Sequence, residues 1–117
     1  MPTILNKRSF AFAQGKIKNG TVVPDQRDDW SEHQPSASQE NEFIEAYGWD
    51  EYANWHLGVD DEASEHTKAR CKFPYGDFAR VHRCGLLAAE VRAGRMKYRD
   101  IEDAAIQLRD MMDEQGR

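Results

Sequence analysis

The run KFPYGDFARVHRCGLLAAEVRAG, Lys72 to Gly94, constrains this chain more than any other stretch. Pro74 holds Phe73 out of the helical region, Gly76 frees a turn, and Asp77 offers a side-chain oxygen to the amides that follow. From Phe78 the apolar residues Val81, Cys84, Ala88 and Val91 recur every three or four positions, and Gly94 supplies a stop. Leu86 and Leu87 widen that stripe, while Gly85, Ala88 and Ala89 are small enough to let another helix come close. The pattern predicts a central helix over 78–93, introduced by a structural turn at 73–77.

Other helices flank it. Asn6 is placed to cap KRSFAFAQGKIKNG, in which Phe10, Ala13 and Ile17 form a narrow apolar stripe and Asn19-Gly20 a stop. Val22, Val23 and Pro24 make a short extended exit, and an acidic loop follows near 24–35. Ser36 and Gln39 form a capping box ahead of a helix carrying Phe43, Ile44 and Tyr47. Trp49, Tyr52, Ala53 and His56 then recur at helical spacing up to Leu57-Gly58, and one or two weak turns are read after Asp60. Asp100 is placed to cap IEDAAIQLRDMM, with Ile101, Ala105, Leu108 and Met112 on one face. No hairpin turn chemistry and no internal repeat occur. The reading is an all-α single domain over 1–117, of about five helices, with a frayed C-terminus near 114–117.

Charge is segregated along the chain. Residues 1–20 carry four cations and no acid; residues 21–67 carry thirteen acids against Arg27. Residues 68–99 hold nine cations against Asp77 and Glu90, and from Asp100 onward six acids face Arg109 and Arg117. Such blocks can neutralise one another inside a fold or present one face to a partner, and internal pairing is the expectation. The chain has no run of about 18 apolar residues, and MPTILNKRSF lacks an apolar signal core, so a cytoplasmic protein without a membrane segment is expected. The two cysteines, Cys71 and Cys84, are read as thiols, because a small secreted domain leans on several disulfides.

The chemistry-bearing residues give little in sequence. His33, His56, His66 and His82 are scattered, without the C-x-x-C or H-x-x-x-H pairs that present two ligands from one turn, so no metal is expected. His82 and Cys84 stand two apart on the predicted helix and point in different directions there; Cys84 is read as a core residue. Asp28-Asp29 and Asp60-Asp61 lack the alternation of a calcium loop and are read as solvated acids. No G-x-S-x-G, Walker, G-x-G-x-x-G or H-E-x-x-H pattern appears, so no catalytic residue and no cofactor are assigned.

Two surfaces remain. Lys72, Arg80 and Arg83 flank the predicted start of the central helix, where free amides favour an anion. Trp49, Tyr52, Trp55 and His56 form an aromatic group from which a partner surface could be built. The pattern K-F-P-Y-G-D-F followed by V-H-R-C-G-L-L-A-A-E-V-R-A-G resembles small uncharacterised bacterial proteins, as RDDWSEHQPSASQE and WHLGVD do upstream. The resemblance implies a bacterial, cytosolic, single-domain protein and carries no activity. The functional expectation is a small non-enzymatic module that contacts another protein. The alternative is an anion or nucleic-acid binder using the basic band 68–99, and a small enzyme without a recognisable motif ranks third.

Overall fold

The computed structural model describes residues 3–116, and it corrects the all-α expectation: six helices are joined by two small sheets. β1 (Thr3–Leu5) leads into α1 (Lys7–Lys18), which Asn6 caps through the Ser9 amide at 3.1 Å. Ala13 and Ile17 of α1 are fully buried, as their spacing requires. After Asn19 the chain turns through Gly20, at φ +75°, into β2 (Val22–Val23). α2 (Trp30–His33) is a single turn of helix inside the stretch read as an acidic loop. α3 (Ala37–Tyr47) begins at the predicted capping box, with both reciprocal Ser36–Gln39 bonds made. α4 (Trp49–Asn54) follows directly, and the chain then straightens into β3 (His56–Asp60).

β3 is the centre of a three-stranded sheet in the order β1-β3-β4, antiparallel throughout, with β4 spanning Cys71–Pro74. A short 3-10 turn, Lys68–Arg70, leads into β4. The second sheet has two strands: β2 lies parallel to β5 (Val81–His82), with Val22 opposite Val81 and Val23 opposite His82. α5 (Arg83–Met96) and α6 (Arg99–Gln115) form the helical side and pack along each other. α6 follows its pattern, with Ile101, Ala105, Leu108 and Met112 buried; Tyr98, not Asp100, is its N-cap residue. It reaches Gln115, covering part of the segment expected to fray; Arg117 lies outside the described residues.

The central helix starts later than predicted. Phe78 has φ +71°, a left-handed conformation no helix continues through, so the residues before Arg83 form a turn and the β5 strand instead. Asp77 still closes that turn, accepting the Ala79 and Arg80 amides at 2.9 and 2.7 Å. The stripe is rotated as well: Leu86, Ala89 and Ala93 enter the core, while Val91 is exposed. The close approach at Gly85 is real, but its neighbour is not a helix. A Cβ there would lie 2.7 Å from the Tyr75 carbonyl oxygen, so Gly85 lets α5 rest against the turn that precedes it. One continuous core joins α1, β3, the β4–β5 turn, α5 and α6 through Ile17, Leu57, Tyr75, Leu86, Ile101 and Leu108. Among the described residues, no helix is long and apolar enough to cross a membrane.

Candidate metal centre

The parallel β2–β5 pair has a consequence for chemistry. The segment leaving β2 runs past the junction of β5 and α5, and four side chains from these two stretches meet there: Asp25, His33, His82 and Cys84. One ligand atom from each lies within 4.8 Å of every other. Asp25 is the hub. Its Oδ2 stands 2.7 Å from Nδ1 of His33 and 2.7 Å from Nδ1 of His82, and its Oδ1 accepts the Cys84 backbone N–H at 2.7 Å. The Cys84 sulfur lies 3.7 Å from His33 Nδ1.

His82 is fixed from behind. Its second nitrogen, Nε2, lies 2.8 Å from Oδ2 of Asp77, the carboxylate that also closes the 77–80 turn. A neutral imidazole has only one N–H to give, yet both His82 nitrogens face carboxylate oxygens. Either the ring is the imidazolium, which donates to both carboxylates, or Nε2–H donates to Asp77 and the Nδ1 lone pair faces Asp25, where a bound cation would take the place of the proton. A carboxylate behind a histidine is the arrangement that orients metal-bound imidazoles.

Both carboxylates of the cluster are held in their charged form. Burial pushes the Asp25 carboxyl up, but the bonds from the Cys84 backbone and thiol and from both histidines outweigh it and hold it at about 2. Asp25 is therefore a carboxylate at neutral pH. The Cys84 thiol is pushed well up, first by burial and then by Asp25 and Asp29. Asp77 is held below the ordinary carboxylate range: burial raises it, and His82 with the Arg80 and Ala79 amides more than compensates.

Two kinds of chemistry could use a cysteine, two histidines and an aspartate. A nucleophilic Cys-His-Asp relay needs the two nitrogens of one histidine to face different partners, sulfur on one side and carboxylate on the other. In His33 the same atom, Nδ1, faces both Cys84 and Asp25. Convergence of four donors on one point is instead the geometry of coordination. A tetrahedral zinc ion holds nitrogen, oxygen and sulfur donors about 3.3–3.6 Å apart. The 3.7 Å Cys84–His33 separation meets that spacing, the two 2.7 Å contacts need to widen by a little over half an ångström, and the widest separation of the set, up to 4.8 Å, needs to close.

The expected sites fall elsewhere. Arg83 is tied to Asp113 at 2.8 and 3.3 Å, Arg80 stands 3.7 Å from Asp77, and Lys72 is exposed on β4. Tyr52, Trp55 and His56 are buried in and around the core, and only Trp49 of that aromatic group is partly accessible. Cys84 is buried, yet it also lines a groove of about 500 Å³ between α2 and α5, whose walls include Trp30, Gln34, Leu87 and Val91. The cluster is hidden in the sequence because Asp25 lies in a stretch with the composition of an acidic loop and the apolar spacing around His82 is that of a helix. The signal available was H-x-C itself, which straddles a strand-to-helix junction: His82 ends β5 and Cys84 lies in the first turn of α5. No protein-family model, curated protein or solved structure matches this chain.

Proposed function

We propose that this chain is a metal-binding protein that takes one zinc ion on Asp25, His33, His82 and Cys84. The observation that carries the reading is the meeting of four donor atoms, from two segments about fifty residues apart, within 4.8 Å of one another around the carboxylate of Asp25, whose side chain is 7% exposed. A mixed N, O and S set favours zinc over calcium or magnesium, which take oxygen ligands, and over copper(I), which prefers sulfur. Loading displaces the Cys84 thiol proton, and the two anionic ligands then balance the charge of the ion. Bound metal would fasten the Asp25–His33 segment to the start of α5. Element analysis of the purified full chain, after chelator treatment and zinc re-addition, tests this. The expected stoichiometry is about one zinc per chain, weakened at least about tenfold by Asp25→Asn or Cys84→Ser. A chain that takes up no zinc, or binding that both substitutions leave intact, refutes the reading.

A further inference from the structure

The four donors are not held alike. Cys84 is 1% exposed and sits in the first turn of α5; the side chains of Asp25 and His82 are each 7% exposed. Asp25 is pinned by the Cys84 amide, and His82 is pinned by Asp77. The His33 side chain is 36% exposed, and its described hydrogen-bond partners, Asp25 and Cys84, both belong to the site itself. It is the last residue of a four-residue helix whose N-cap, Asp29, makes no side-chain capping bond. Trp30 is the one buried residue in α2, and beside that helix lies the groove toward α5, so α2 has space next to it.

We infer that, on the metal reading above, His33 occupies an exchangeable coordination position, and that a small neutral nitrogen donor from solvent, an imidazole or an amine, can take its place. Asp25, His82 and Cys84 then form a fixed three-point seat. Three fixed protein ligands and one replaceable position define an open site, whereas a closed structural site holds four alike. A neutral donor suits the position because Asp25 and the Cys84 thiolate already balance the charge of a zinc ion; Asp29 and Asp77 stand close to the ligand set, as do Arg80 and Arg83.

The test uses the full chain loaded with cobalt(II), whose visible spectrum reports its ligands, and imidazole as the probe. Wild-type protein comes first: failure to take cobalt or zinc overturns the metal reading and this inference with it. His33→Ala should still take about one ion, bind it about tenfold more weakly and release it faster to a chelator; millimolar imidazole should return both the affinity and the tetrahedral spectrum. His82→Gln, whose lost donor is buried, should show no such rescue. Should that variant fail to fold, the response of His33→Ala to imidazole decides alone. The inference falls while the metal reading stands if wild type binds the ion and imidazole does nothing for His33→Ala, or if imidazole rescues His82→Gln as well.

Discussion

His56 is the buried histidine that the metal centre does not use. It is 3% exposed, its Nδ1–H donates to the Tyr52 carbonyl at 2.8 Å, and its ring lies 4.5 Å from that of Tyr52. Burial drives its pKa down to about 4, against smaller upward pulls from the Tyr52 carbonyl and Glu40. The unfolded chain protonates this histidine near 6.5. Between those two values the unfolded state binds the proton and the folded state does not, so stability falls as pH drops from about 6.5 and levels off below about 4. At pH 5 the loss from this one residue is about 2 kcal/mol. His56→Gln keeps a donor for the Tyr52 carbonyl and removes the titration. Urea unfolding near pH 7.5 and near pH 5 should therefore show a smaller acid loss in the variant than in wild type. Equal losses in the two proteins would mean that His56 is not held neutral.

At the scale of elements, the helix ends carry most of the detail. α5 closes with the Tyr98 amide donating to the Ala93 carbonyl and the Lys97 amide to the Gly94 carbonyl, the paired bonds of a Schellman end. Its left-handed position is Lys97, at φ +64°, where the sequence suggested that Gly94 would stop the helix. A side chain in that conformation costs about 1–2 kcal/mol, part of which glycine gives back as unfolded-state freedom. Lys97→Gly should therefore stabilise the fold by about 0.5–1 kcal/mol and raise the thermal midpoint by a few degrees. A lower midpoint would show that the Lys97 side chain contributes more than its backbone strain costs. The same scale explains what was legible. α1, α3 and α6 are 11 to 17 residues long, enough for an apolar stripe and a cap to repeat. The strands are two to five residues, too short for alternation to show, and β3 is buried at His56, Leu57 and Gly58 in succession. His56 also continues the Trp49–Tyr52 spacing, so a strand start looks like a fourth helical position. Of the candidate site, His33, His82 and Cys84 are visible as residue types, whereas Asp25 is one of thirteen acids in its block. Their meeting depends on the parallel β2–β5 pairing, a contact across nearly sixty residues that no local pattern encodes.

For the whole molecule, the question is whether the basic band 68–99 meets solvent as a positive face. Lys68 lies 3.2 Å from Glu40 and Arg70 lies 3.8 Å from Asp61, so these two cations of the band are answered by the preceding acidic block. Arg80 faces Asp77 at 3.7 Å, and Arg83 faces Asp113 at 2.8 Å in the acidic C-terminal block. From that same block Arg109 reaches back to Glu90 at 2.6 Å. Pairs this exposed add little stability, but each places a carboxylate where a phosphate would have to bind. The net charge of −5 adds a general repulsion. Fluorescence anisotropy with short single- and double-stranded DNA and RNA at near-physiological salt should therefore show no saturable binding, and Arg80→Ala combined with Arg83→Ala should change little. Lowering the salt lengthens the reach of the net negative charge along with that of the cations, so a weak signal at low salt should stay weak. Micromolar binding that declines steeply with salt and disappears in the double variant would reverse this argument, because it would mean that Arg80 and Arg83 leave Asp77 and Asp113 to release counterions from a phosphate backbone.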